Sequence, residues 1–341
     1  MISPLLLLPL AGFVFEKQAT LPIILFEVLV LLGAAGGCWI ISKLVDKLWL
    51  RLLITTTAVL VFELFTGPMW INERMGPWAY LYLDLSWILT IGWSVLILGV
   101  VTLVDTFQHR WSQTRRFFTY HAILLPTVLL LEILVVNLGL RSYSPEVLNS
   151  TCGVKLFGPP IEILFYVPVF VSLIITFYKY WSFIIDGTLD RATGGRKWGQ
   201  SVAIALLGVF LFELMIEPMV ENRNLPAWSY IFHDISILLT GSWVLLLACG
   251  AVVVERVFAD FPAPFRFFTA ILLIGFAALV IESWMTINGY RVYGPSMTAC
   301  FTGFRTPITG VASEIAFAIP CYLSLIIAFI RFWEVALDRR N

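Results

Sequence analysis

Residues 62–93 read FELFTGPMWINERMGPWAYLYLDLSWILTIGW, and residues 212–243 read FELMIEPMVENRNLPAWSYIFHDISILLTGSW. Aligned without a gap at an offset of 150, they share 13 identities in 32 positions. Among these are Glu63/Glu213, Pro68/Pro218, Asn72/Asn222, Trp78/Trp228, Tyr80/Tyr230, Asp84/Asp234, Thr90/Thr240 and Trp93/Trp243. Farther along, Arg116-Phe-Phe-Thr119 matches Arg266-Phe-Phe-Thr269, Glu132 matches Glu282, and Gly139-x-Arg141-x-Tyr143 matches Gly289-x-Arg291-x-Tyr293. The chain is an internal duplication, and what the two copies share is largely polar or aromatic.

The material between these polar residues is apolar. Of the 341 residues 60% are hydrophobic and 13% charged, against about 45–50% and about 25% in soluble domains. Nine apolar segments can be placed at about 18–42, 50–69, 80–104, 117–138, 161–186, 200–218, 229–253, 267–287 and 308–333. Hydrocarbon offers no partner to open backbone groups, so such spans are helices. The expected fold is an all-α polytopic membrane protein of nine transmembrane helices. Residues 1–49 carry a leading segment and helix 1, residues 50–190 a first four-helix repeat, and residues 198–341 a second. Met1 to Phe15 lacks the basic n-region of a signal peptide and reads as an interfacial lead-in. Four helices per repeat make the repeats parallel. A further element, Glu followed six residues later by Pro, opens three spans (Glu16/Pro22, Glu162/Pro168, Glu314/Pro320) and likens helix 1 to the last helix of each repeat.

Alternate connectors hold 15 and 7 of the Lys and Arg residues. This bias predicts the N-terminus outside and the C-terminus in the cytoplasm. On that topology the repeated acids gather near extracytoplasmic helix ends. Net charge is zero, so nothing points to nucleic acid. Three histidines without HxxH spacing and five cysteines without CxxC argue against haem, di-iron, zinc and iron–sulfur centres. No cofactor is implied, although a hard divalent cation on carboxylates stays open. Asn149-Ser-Thr151 is a glycosylation sequon in a predicted external connector. Cys152 and Cys300, in equivalent connectors, are either a disulfide pair or two free thiols.

Ionisable residues within spans face a bundle interior or a polar cavity. Glu63, Glu132, Glu162, Glu213, Glu282, Glu314, Asp84 and Asp234 are therefore the candidates for acid–base work. Trp78, Tyr80, Trp93, Trp228, Tyr230 and Trp243, with Asn72, Asn222, Arg141 and Arg291, are the candidate binding residues. One carboxyl would protonate an alkene, another would take a proton from the resulting cation, and aromatic faces would stabilise the charge between those steps. The same acids would equally serve a proton- or cation-coupled transporter, or dock a membrane-protein partner as a non-catalytic subunit. Each pair also has a structural reading. Asn72/Asn222 would be turn residues, the Trp and Tyr pairs an interfacial belt, and Arg141/Arg291 mere counter-ions of Glu132/Glu282.

Glu132, Gly139-Leu-Arg-Ser-Tyr143 and Gly158-Pro-Pro-Ile-Glu162-Ile-Leu-Phe-Tyr166 together resemble the small polytopic lycopene cyclase domains. Those domains carry an acid, a Gly-x-x-x-Tyr stretch and a Pro-x-Glu-acid motif opening a helix. Here Ile163 replaces the final acid, and the second copy has Ala312-Ser313 before Glu314. Glu63 followed by Trp78 and Asp84 is similar to integral membrane terpene cyclases. These resemblances imply a membrane-embedded, non-redox cyclase or isomerase of an isoprenoid or carotenoid-like lipid.

Overall fold

The computed structural model describes residues 19–150, 153–189 and 197–338. Glu16, Cys152 and the N-terminal lead-in lie outside them. Among the described residues nine helices are long and apolar enough to cross a bilayer. They are α1 (Leu21–Ile41), α2 (Leu48–Thr66), α3 (Trp87–Phe107), α4 (Gln113–Asn137), α6 (Ile163–Ile185), α7 (Trp198–Ile216), α8 (Ile237–Val257), α9 (Ala263–Ile287) and α11 (Ser313–Asp338). Two one-turn helices, α5 (Pro145–Asn149) and α10 (Pro295–Ala299), complete the set. The protein has the architecture of an all-α polytopic membrane protein.

The duplication extends to every small element. Strands β1 (Trp70–Asn72), β2 (Tyr80–Tyr82), β3 (Leu85–Ser86) and β4 (Arg141–Tyr143) recur as β5 (Val220–Asn222), β6 (Tyr230–Phe232), β7 (Ile235–Ser236) and β8 (Arg291–Tyr293). β1 pairs antiparallel with β4 and β5 with β8, placing Asn72 opposite Arg141 and Asn222 opposite Arg291. Two expected spans are corrected here: α3 and α8 begin at Trp87 and Ile237, not near 80 and 229. The apolar residues before them form the tight turns β2–β3 and β6–β7. Leu83 (φ 47°) and His233 (φ 45°) adopt the left-handed conformation at those turns, which ends any helix there. Ser86 then caps α3.

α6 and α11 pack on each other between the repeats. α2 packs on α3, α6 and α11, as α7 packs on α8, α11 and α6. At the acid-rich end the repeats are tied by Glu146 of α5, which accepts the Ser296 N–H of α10 at 2.6 Å. Residues 146 and 296 are themselves repeat mates.

α1 does not behave as a copy of α6 or α11. Pro22 sits in its first turn, whereas Pro168 and Pro320 lie inside their helices. It packs at the edge, on α3. Gly37 allows that approach, since a Cβ there would lie 2.5 Å from Val95 Cγ1. Glu27, 1% exposed, accepts the Gly76 N–H at 2.7 Å. The second repeat has Pro226 at the position of Gly76 and offers no such donor. Glu27→Ala leaves a buried amide without its acceptor, a cost of roughly 1–3 kcal/mol. We expect α1 to undock, read as faster proteolysis at the α1–α2 connector; an unchanged cleavage pattern would refute this.

Candidate functional site

Each repeat builds one pocket at the acid-rich end, on the same residue plan. The first, about 500 Å³, is lined by Glu63, Glu132, Arg141, Tyr143, Trp93 and Phe170 among others. The second, about 770 Å³, is lined by the mates Glu213, Glu282, Arg291, Tyr293, Trp243 and Tyr322. The repeats also complete each other. Met215 reaches the first pocket and its mate Phe65 the second. Aromatic walls are close-packed, with Trp93–Phe170 at 6.1 Å, Trp243–Tyr322 at 6.0 Å and Phe212–Tyr322 at 4.1 Å between centroids.

The two carboxyls of a pocket sit in different chemical settings. Glu132 accepts from Arg141 Nη1 at 2.8 Å and from Tyr143 Oη at 2.5 Å. Burial, then the Glu132 carboxylate, raises the Tyr143 pKa well above the usual phenol value, so the phenol is a donor. Burial opposes the charge on Arg141, yet Glu132 and Tyr143 keep its pKa above the ordinary arginine value. Glu63 instead meets a single hydroxyl. Thr90 Oγ1 lies 2.5 Å from Glu63 Oε2 and 2.9 Å from the Ser86 carbonyl. One hydroxyl carries one proton, so both contacts are satisfied when Glu63 itself supplies a proton. Thr240 makes the same two contacts, to Glu213 and to the Ser236 carbonyl. Each pocket thus pairs a donor-bound carboxylate with a carboxyl set to hold a proton.

The copies differ in how tightly this plan is held. In the first, Arg141 Nε donates to Asn72 Oδ1 at 2.9 Å and the guanidinium lies over Trp70 at 5.6 Å. In the second, Val220 stands in place of Trp70, and Arg291 is 3.9 Å from Glu282. Arg291 Nε and Asn222 Oδ1, bonded in the first copy through their mates, are both buried without hydrogen-bond partners. Tyr166 fills the first pocket where the second has Ala318. The first pocket is a locked strut and the second an open one.

Several candidate residues fall elsewhere. Trp78 and Trp228 are 53% and 72% exposed and line neither pocket, because the β2–β3 and β6–β7 turns carry them outward. Tyr80 and Tyr230 staple those turns: Tyr80 Oη donates to the Asn72 carbonyl at 3.1 Å, and Tyr230 Oη to that of Asn222 at 3.1 Å. Asn72 and Asn222 hold the Asp84 and Asp234 backbones, which is the turn role, while Asn222 also lines the second pocket and Asn72 accepts from Arg141 of the first. Glu162 accepts from Ser150 at 3.3 Å and Glu314 from the Thr302 N–H at 2.8 Å, closing connectors away from both pockets. Asp84 faces a separate cleft between α5 and α10, whereas Asp234 lines the second pocket. Thr90/Thr240 and Tyr143/Tyr293 belong to the site and were recognisable as repeat identities; Met215, Phe65 and Tyr322 carried no such signal. No group of three or more His, Cys, Asp or Glu side chains suited to a metal occurs among the described residues.

Burial, reinforced by Glu217 and Glu221 and opposed by the Asn222 N–H, raises the Asp234 pKa to about 6. A raised carboxyl pKa adds stability below the unfolded value and loses it as pH rises through about 6. Partial exposure screens the effect. The wild type should therefore lose thermal stability between pH 5 and 7 relative to Asp234→Asn, measured as Tm at both pH values. Parallel pH profiles would contradict the assignment.

The chain matches no protein-family model, and comparison with curated proteins and with solved structures returns no match.

Proposed function

We propose that the second-repeat pocket carries out non-redox proton-transfer chemistry, cyclisation or isomerisation, on an unsaturated isoprenoid-like lipid. The observation that carries this reading is the pairing, within one aromatic-walled cavity, of a carboxyl set to hold a proton and a carboxylate held by the Tyr293 hydroxyl beside the Arg291 cation. Glu213 gives its proton to an alkene carbon, the π electrons forming the new C–H bond. The neighbouring cation is stabilised by the faces of Trp243 and Tyr322, and ring closure spends a second alkene in a C–C bond. Glu282 accepts the proton lost from the adjacent carbon, so the product has the substrate's formula. The resemblance to lycopene cyclase domains through Glu132 and the Gly139-x-x-x-Tyr143 stretch agrees with this chemistry, because the mates Glu282 and Tyr293 line the open pocket, whereas its Pro-x-Glu element at Glu162 lies away from both pockets.

A coupled transporter is less well supported. The acid-end pocket shares no lining residue with the cavity found at the basic end of the same repeat. The test uses the full chain in proteoliposomes with lycopene or squalene in D2O. An isomeric product carrying a carbon-bound deuteron is expected, and its absence with both polyenes would count decisively against the reading.

A further inference from the structure

A second cavity, of about 830 Å³, lies at the Lys/Arg-rich end of the second repeat, lined mainly by α7, α8, α9 and α11 with Tyr180 of α6. The first repeat has no room there. Leu98, Val101 and Tyr120, all fully buried, occupy the positions of Ala248, Ala251 and Ala270. Arg51, which reaches Asp186 at 2.6 Å and Tyr178 at 3.2 Å, occupies the position of Ser201. Side-chain truncation at four mated positions has therefore opened the space, and its walls are mostly apolar, with Ser201, Glu255, Arg266 and Arg331 among them.

The charges lining the cavity have been rearranged as well. In the first repeat Asp105 binds both Arg116 (2.8 Å) and Lys179 (2.7 Å). In the second, Glu255 and Glu334 engage Arg331, at 3.5 Å and 2.6 Å, and Ser201 donates to Glu334 at 2.5 Å. Arg266, the mate of Arg116, makes no hydrogen bond or ion pair among the described residues, and its Nε is buried. The only exposed lining residues, Trp198 and Val202, are both on α7. A mostly apolar slot whose lining holds one guanidinium without a hydrogen bond or ion pair has the form of a receptor for a long-chain anion. Arg offers a planar donor fork matched to phosphate.

We propose that this cavity binds an amphiphile with a phosphate head and a hydrocarbon chain, the phosphate on Arg266 and the chain against Ala248, Ala251 and Ala270. The proposal does not depend on the chemistry assigned to the acid-end pockets. Bilayer lipids and prenyl phosphates share this chemistry.

The experiment uses the purified full chain in mild detergent and native mass spectrometry. The probes are dioleoylphosphatidylglycerol, geranylgeranyl monophosphate, dioleoylphosphatidylcholine and inorganic phosphate. The wild type should retain at least one anionic amphiphile in preference to phosphatidylcholine and inorganic phosphate. Retention should fall roughly tenfold in Arg266→Gln, the loss of one charge-assisted contact. It should fall comparably in Ala248→Leu/Ala251→Val, which installs side chains that the first repeat already packs. Binding of phosphatidylglycerol alone identifies a bilayer lipid, and binding of the monophosphate alone a prenyl phosphate; either supports the site. Retention unchanged in either variant, or no preference for the anionic amphiphiles, overturns it. Should the filled variant not fold, inorganic phosphate bound as tightly as the amphiphile would overturn it instead.

Discussion

Glu213→Gln is expected to reduce turnover of the polyene substrate by at least about a hundredfold, the contribution of a positioned general acid. Glu63→Gln should leave most of the activity in place. The two acids are repeat mates with the same threonine contact, so sequence gives no ground for distinguishing them. Their surroundings do. The first pocket is narrowed by Tyr166 and by Trp70, over which Arg141 lies, whereas Ala318 and Val220 leave the second open. The Gln side chain keeps volume and can still donate to Thr240 but cannot release a proton, so loss of rate with normal folding isolates the chemical role. Equal losses in the two variants would mean that both pockets react; no loss in Glu213→Gln would remove the acid role. Product formation and size-exclusion behaviour, measured side by side, give the answer.

The second large effect concerns stability. Arg141→Met should destabilise the protein by about 3–5 kcal/mol, because it leaves the Glu132 carboxylate buried without its cation. Both side chains are less than a tenth exposed and meet at 2.8 Å. Arg291→Met should cost distinctly less. Its guanidinium stands 3.9 Å from Glu282 and its Nε makes no hydrogen bond, while the tyrosine contact to the carboxylate is the same in both copies. Denaturant unfolding of the two variants in the same detergent compares them directly. If Arg291→Met proved as costly as Arg141→Met, the contrast between a locked and an open copy would be lost.

The contrast shows where reading a duplicated sequence stops being informative. Thirteen shared residues in 32 mark out the repeat and bring Glu63, Trp93 and their mates forward together. They do not separate pocket residues from turn residues, because a duplication retains both. Trp78 and Trp93 recur equally well, yet one lies at the surface and the other lines a pocket. The deciding event is the left-handed turn at Leu83, which folds 80–86 back before α3 begins. An apolar run has the same composition whether it enters a helix or a surface turn, so hydropathy extended α3 and α8 too far. α1 stands outside the repeats as a leading helix, as its place in the sequence implies. What the sequence does not show is that the Gly76 N–H available to Glu27 places it on α3.

Nine spans, the repeat and the Glu–Arg pairs follow from one-dimensional properties of the chain. Apolar length and charge scarcity require helices in hydrocarbon, and a carboxyl there needs a partner. Substitutions scattered along the chain acquire meaning only once side chains far apart in sequence are brought together. Val220 for Trp70 and Ala318 for Tyr166 enlarge one pocket, while Ala248, Ala251 and Ala270 empty another cavity. Each is a modest apolar exchange when read alone, since volume is a property of several helices packed together and not of any one of them.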